Sequence, residues 1–400
     1  MEHLKKWHFF YPLIGLSAAF ACFLLLIIVN TIPGNTIQPN VDESIRIVDQ
    51  EGDYPLLYSH DDPTNTPKDN FTDRIMLQKT ITSPDENILQ RTMVGSYARY
   101  WHGYLVWLKP LLVVFELPQI RQIIIITFII LLVALAILIS KYISIYLGVA
   151  LLATFALFNI PIFTSSMQFA NVFILSFIVS IILLAALIRG ASKRFIYSLF
   201  IIVGIVTCFI DFLTTPIVTL GMPLLIYIAF LIKQRRHTNK DLVRPILIGA
   251  LLWSLGYVFM WLLKWLLASA ILQQDIFKDA IDQVFLHVSS GSHEAGSAGS
   301  YTHLGMLVTN LRHILFIKPI SIAIIAIATI GVFIKYRRKK IALILPTILT
   351  IGAIGLSPVL WVLATLNHSS THHWFTFRQF TISLFAGFII LWALYRKSDK

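Results

Sequence analysis

Charge is what this chain has least of. Only 13% of its 400 residues are Asp, Glu, Lys or Arg, where soluble domains carry roughly 25%. Too few charged side chains are present to clothe a chain of this length in water, so an ordinary soluble fold is excluded. Cysteine is nearly absent. Cys22 and Cys208 both fall in apolar runs, where they serve as small apolar residues, and neither a disulfide framework nor a cysteine metal site is implied. No G-x-S-x-G, Walker A or H-E-x-x-H pattern occurs, so an ATPase or a zinc protease has no basis. The lack of an internal repeat disfavours the inverted-repeat transporter folds.

Apolar length is what the chain has instead: 57% of the residues are hydrophobic and the mean hydropathy is +0.76. A bilayer core about 30 Å thick is crossed by roughly 17 to 25 mostly apolar residues. Ten such segments are expected, at about 9–31, 121–140, 143–160, 170–188, 195–210, 217–232, 246–269, 319–334, 341–363 and 379–395. The first is too long for a signal-peptide core and no small-residue cleavage site follows it, so Phe9–Thr31 reads as a retained helix. Pro346, Gly355 and Pro358 predict a bend or break near the outer end of the ninth helix. The expected architecture is one all-α polytopic membrane domain, 1–400, with two large extracytoplasmic segments, 32–120 and 272–318. Within the first, Tyr104–Phe115 has the length of a helix lying on the membrane surface.

The formal charge of +12 is unevenly divided on this topology. The inner helix ends hold 19 Lys and Arg against 3 acids, a net +16, and the other face is left with −4. Basic residues gather on the cytoplasmic side of membrane proteins, so both termini are expected in the cytoplasm of a multi-pass cell-membrane protein. The basic excess points to topology and to anionic membrane lipids, not to a nucleic-acid partner.

The outer face receives 17 of the 20 acids and nine of the 12 histidines, which directs the search for a site there, although outer segments hold polar residues in any membrane protein. Asp61-Asp62-Pro63 carries acids in a turn signature. In Asp69-Asn70-Phe71-Thr72-Asp73 a helix beginning at Asn70 makes Asp69 its N-cap and puts Asp73 on the same face. Asp73, Asp69 and Asp62 are the candidate general bases or cation ligands; capping and local ion pairs are the plainer readings. Arg99, Trp101 and His102 lie in an aromatic stretch suited to sugar rings or to an interfacial belt. Asp211 ends the fifth helix at a membrane boundary, where acids are costly. Lys264, between Trp261 and Trp265, is placed to bind an anionic headgroup or to snorkel. Arg378 offers a phosphate-matching fork or an interfacial anchor. His372 and His373 are adjacent, about 100° apart on a helix and poorly disposed for a shared metal; His373 joins the substrate-binding candidates. The serine- and glycine-rich stretch 289–300 has the composition of a mobile loop or lid.

These segments, with Ala98-Arg99-Tyr100-Trp101-His102-Gly103-Tyr104, Asp211-Phe212-Leu213-Thr214-Thr215-Pro216 and Phe375-Thr376-Phe377-Arg378, are similar to segments of a family of multispan proteins from Gram-positive bacteria. The whole plan, with its acid-bearing first outer segment, resembles the GT-C glycosyltransferase superfamily. The resemblance implies a polyprenyl-phosphate-linked sugar donor, a cell-envelope glycan or lipid acceptor, and a catalytic acid in the first outer segment. By position that acid is Asp73, with Asp61, Asp62 and Asp69 as rivals, while Lys264, Arg378 or Arg99 would hold the departing lipid phosphate. No cofactor is required; a divalent metal is compatible with the scheme. A flippase, exporter or polymerase of lipid-linked glycans, or a non-catalytic scaffold, would share the topology.

Overall fold

The computed structural model describes residues 2–57, 67–81, 87–94, 97–234, 239–288, 304–305, 307–311 and 338–396. Among them the chain is helical, with a single isolated bridge between Leu56 and Pro67. Among the described residues seven helices are long and apolar enough to cross a membrane, at Phe10–Asn30, Leu117–Tyr142, Met167–Ile188, Lys193–Ile210, Asp241–Leu272, Leu345–Ala364 and His373–Arg396, and two apolar helices are shorter, Ile145–Leu157 and Val218–Gln234. The chain is an all-α membrane protein by the length and composition of these helices. The shorter pair coincides with the expected third and sixth segments. The eighth, 319–334, lies outside the described residues, as does Asp62.

Helix α1 (Glu2–Asn30) shows how one helix serves two environments. Ala19, Cys22, Leu26 and Val29 recur at helical spacing and are buried, while Leu13, Leu16, Phe20 and Leu24 remain exposed and apolar, a face that only lipid satisfies. The next segment builds four further helices. Helix α2 (Gly34–Glu51) buries Ile37, Val41, Ser44 and Val48 in a stripe and stops at Gly52, whose φ of 84° suits glycine and whose N–H reaches the Val48 carbonyl at 3.0 Å. Too polar to stand out as an apolar run, α2 is legible only by that stripe. Helices α3 (Asn70–Gln78), α4 (Ile88–Met93) and α5 (Leu105–Leu112) follow. The last falls within Tyr104–Phe115, where a helix is expected, and is tied down by Lys109, whose ammonium donates to Asn30 Oδ1 at 3.2 Å.

The apolar helices that follow are α6 (Leu117–Tyr142), the shorter α7 (Ile145–Leu157), α9 (Met167–Ile188), α10 (Lys193–Ile210), the shorter α11 (Val218–Gln234) and α12 (Asn239–Leu272), with short α8 (Ile160–Ser165) before α9. Helices α10 and α12 touch backbone to backbone: a Cβ on Gly204 would lie 2.0 Å from the Trp253 carbonyl oxygen, and one on Gly256 would lie 2.3 Å from that of Ile201. Small residues allow this approach, which replaces hydrophobic burial as the glue between helices in lipid. Helix α13 (Ile276–Val288) follows α12. The expected break in the ninth segment occurs between α14 (Arg338–Gly355) and α15 (Ser357–Ala364), with Pro358 in the first turn of the second piece. Short α16 (Leu366–Thr371) and α17 (His373–Thr376) lead through a 3₁₀ turn into α18 (Thr381–Arg396).

Candidate active site

Helix α3 starts where the sequence placed it. Asp69 is its N-cap, accepting the Thr72 N–H at 3.0 Å. Its other carboxylate oxygen accepts from the side-chain amide of Gln168, and its own N–H donates to Ser166 Oγ at 2.8 Å. One residue thus caps α3 and docks it on the start of α9. Asp69 is 3% exposed, and burial above all pushes its carboxyl up to about 6, against the opposing pull of the Thr72 hydrogen bonds.

Asp69 lines a cavity of about 440 Å³. Tyr97, Arg99 and Tyr100 enter it from the turn before α5, Gln168 from α9, Gln283 and His287 from α13, and His368, His372 and Trp374 from the chain around α16 and α17. The three histidines form a run of ring contacts, His287 to His368 at 5.2 Å and His368 to His372 at 4.9 Å. His368 Nε2 donates to the Leu213 carbonyl at 2.8 Å. Burial holds the His287 and His372 imidazoles down at about 4 and that of His368 well below the ordinary range, so all three are neutral near pH 7 and can exchange hydrogen bonds with hydroxyls without placing charge in the site. Trp374 and Tyr54 meet edge to face at 5.5 Å, adding apolar ring surface to the same wall.

Arg99 stands at a boundary. It donates to Asp279 at 3.2 Å, lies over the rings of Tyr97 and Tyr100, and borders a second cavity of about 270 Å³ as well as the first. That second space is apolar, walled by Tyr257, Trp261 and Trp265 of α12 and by Val284 and Val288 of α13, and it shares Arg99, Tyr100, Gln283 and His287 with the polar cavity. Val258 and Val284 on its rim are 52% and 46% exposed, so it opens onto the apolar flank of the molecule.

The remaining candidates among the described residues lie elsewhere. Asp73 is a wholly buried residue of α3 and is absent from the cavity wall. Its Oδ1 accepts the Met167 N–H at 2.9 Å, and its Oδ2 faces Arg121 at 3.7 Å. Arg121 also binds Glu51 at 3.0 Å and Asn70 at 2.9 Å. Burial drives the Asp73 carboxyl up to about 7, with Arg121 pulling it down and Asp69 adding to the rise. Asp211 caps the loop after α10 by accepting from the Thr214 N–H and hydroxyl, and burial lifts it to about 6. Trp101 is buried with its Nε1 donating to the Met260 carbonyl at 2.8 Å. His102, at a φ of 55°, is enclosed between Tyr104 and the Tyr97 carbonyl and kept neutral by burial and nearby Lys79 and Lys264. Lys264 is fully buried, donating to the Met93 carbonyl at 3.2 Å above the Trp101 ring. Arg378 is buried among Phe163, Phe169 and Phe377 and donates to the Trp374 carbonyl at 2.7 Å, so it supports the wall from behind. His373 is half-buried, and its neighbours His372 and Trp374 are the ones that face the cavity.

Of the nine candidates among the described residues, the cavity therefore brings together Asp69 and Arg99. Gln168 and Trp374 went unrecognised as site residues: neither belongs to a motif, and both reach the site through helix packing. His287 and His368 were visible only as members of the outer histidine set, and His372 was singled out only as the neighbour of His373 in a poor metal pair. Among the described residues no three His, Cys, Asp or Glu side chains are grouped to hold a metal ion, and Asp69 is the one carboxylate in the polar cavity's wall. Compared with family models, curated proteins and solved structures, the chain matches none.

Proposed function

We propose that this protein is a GT-C-like membrane glycosyltransferase that moves a sugar from a polyprenyl-phosphate donor to a cell-envelope acceptor on the outer face. One observation carries the reading: a polar cavity containing a buried carboxylate meets an apolar, laterally open cavity, with an arginine on the shared border. A lipid-linked sugar has the same division, an isoprenoid chain for the apolar side, a phosphate at the junction and a polyhydroxylated ring beyond it.

In this scheme Asp69, rather than Asp73, is the general base. It borders the cavity, it is ionised at neutral pH, and burial makes it a stronger base than an ordinary aspartate. Its oxygens retain acceptor capacity beside the Thr72 and Gln168 bonds, so an acceptor hydroxyl can be held and deprotonated there. The acceptor oxygen attacks the anomeric carbon, the bond from that carbon to the phosphate oxygen breaks, and the lipid phosphate leaves with the electron pair. Arg99 is placed to hold that phosphate, with a guanidinium suited to two parallel hydrogen bonds. The protein contributes position and leaving-charge stabilisation, since the donor ester already supplies the driving force. No step requires a metal.

The same proposal puts both termini in the cytoplasm and about ten helices across the membrane, supported by the +16 and −4 division of charge. The test is turnover of a lipid-linked sugar in membranes with and without the protein. Protein-dependent consumption of the donor with release of polyprenyl phosphate is expected; equal turnover in both would remove the reading.

A further inference from the structure

Gln168 and Asn171 lie three positions apart on α9 and serve different spaces. Gln168 reaches the polar cavity, whereas Asn171 lines a third cavity of about 300 Å³ that shares none of the described residues with the first. Ile124 and Thr127 of α6 and Ile174 and Ile178 of α9 form its sides, and Trp107 and Leu111 of α5 close its end. Ile178 is 39% exposed, so the space continues to the apolar surface of the helices.

The feature that asks for a ligand is Asn171. It is 8% exposed, and among the described residues its Nδ2 has no hydrogen-bond partner. A buried amide donor in apolar surroundings is destabilising until an acceptor meets it. Asn171 is the fifth residue of α9, about 6 Å along the axis from the start of that helix at 1.5 Å per residue. Asn171 therefore lies nearer the end than the middle of a helix, Met167–Ile188, that is long and apolar enough to span a bilayer. Among the described residues no charged side chain lines the cavity, so a phosphate meets no cation there.

We propose that this cavity takes one acyl chain of a membrane glycerolipid, whose ester carbonyl accepts the Asn171 Nδ2–H while the chain lies along Ile174 and Ile178. The ester carbonyl of a glycerolipid is an uncharged acceptor at the top of a hydrocarbon chain, which is what the wall provides for. A polyprenyl chain has no oxygen between its phosphate and its hydrocarbon and leaves Asn171 unmet. The site is separate from the transfer cavity and holds whether or not the glycosyl-transfer reading does.

The test is photolabelling of the full chain in vesicles of phosphatidylglycerol and phosphatidylethanolamine. A trace of phosphatidylglycerol carries a diazirine in one acyl chain, and parallel samples carry the ether-linked analogue or a diazirine polyprenyl phosphate. The ester probe is expected to label the peptides holding residues 123–127 and 170–178 about five-fold more than the ether probe, the ratio expected for one hydrogen bond. It should also label them more than the lipid-facing stretch at Leu13, Leu16 and Phe20. Asn171→Leu should bring ester labelling down to the ether level, and Ile174→Trp, which fills the space, should lower both. Equal labelling by ester and ether probes in the wild type would overturn the proposal without reference to any variant. So would labelling no stronger than on the α1 face, or preferential labelling by the polyprenyl probe.

Discussion

Asp73 accepts the backbone N–H of Met167 at 2.9 Å and so fastens the short helix α3 to the first residue of the span α9. Asp69 makes the companion contacts to Ser166 and Gln168 one turn earlier. The two acids on one face of α3 divide the work between them. Asp73 holds the helix in place from within, and Asp69 presents its carboxylate to the cavity.

This division makes Asp73 a stability residue. Asp73→Ala should destabilise the protein by about 1–3 kcal/mol, the cost of a buried donor left unsatisfied, with turnover per folded molecule retained. Asp73→Asn adds a pH test. The folded-state carboxyl is raised to about 7 from an ordinary value of 3.8, so the folded protein binds more protons than the unfolded chain between those values. The stability contributed by Asp73 is therefore present at low pH and lost as pH rises towards 7. Asn does not titrate, so the thermal stability of Asp73→Asn relative to wild type should improve from pH 4 to pH 7. The buried histidines act oppositely over part of this range, but they are common to both proteins and cancel in the comparison. A gap that moves in favour of Asp with rising pH would refute the assignment.

The Gln168 amide donates to the Asp69 carboxylate, and a donor of that kind favours the charged form of a carboxylate. Gln168→Leu should raise the pKa of Asp69 and shift the acid limb of the rate profile to higher pH, with a several-fold loss of rate below pH 7 and recovery above it. An unchanged limb with a uniform loss at all pH values would mean that Gln168 serves only to pack α9.

How much of this was legible in the sequence depends on whether the cause is local. The Asp69 cap and the helix starting at Asn70 follow from four consecutive residues, and the break after Gly355 follows from its flanking prolines. The long helices follow from apolar length, because lipid imposes it. Asp73 could be placed on its helix face, but not assigned to Arg121, which is 48 positions away in another helix. Lys264 carried the signal of a headgroup ligand, a lysine between tryptophans near a helix end, and the structure turns its ammonium to the Met93 carbonyl instead. Gln168 gave no signal, since a lone glutamine at the start of an apolar run is unremarkable until α3 is laid against it.

Lys264 offers a clean contrast with Arg99. Because Lys264 is absent from both cavity walls around Arg99, Lys264→Met should leave donor binding within about two-fold of wild type and change stability by no more than about 1–2 kcal/mol, since buried charge is often replaceable by an apolar residue of similar volume. Arg99→Ala should weaken donor binding about ten-fold or more, as expected for a charge-assisted hydrogen bond of roughly 1.5–3 kcal/mol, and Arg99→Lys should restore part of it. Equilibrium binding of a labelled lipid donor to the purified variants measures both, and a larger loss in Lys264→Met than in Arg99→Ala would invert the roles.

The orientation is open to a direct check. Cysteines placed at Gln78 in α3 and at Lys278 in α13 should react with a membrane-impermeant thiol reagent added to intact cells, and one placed at Arg189 should react only after lysis. The native Cys22 and Cys208 are buried and give a low background. Reaction at Arg189 in intact cells would reverse the inside and outside faces.

The central claim is that Asp69 activates the acceptor in a sugar transfer, and single-turnover kinetics with a polyprenyl-phosphate sugar on purified, reconstituted protein test it most directly. Asp69→Asn can still present an oxygen to the Thr72 N–H and should fold and bind the donor at near wild-type affinity. The transfer step itself should fall by about 10²–10⁴-fold, the usual cost of losing a general base. Transfer by Asp69→Asn at the wild-type rate, with donor binding intact, would contradict the account.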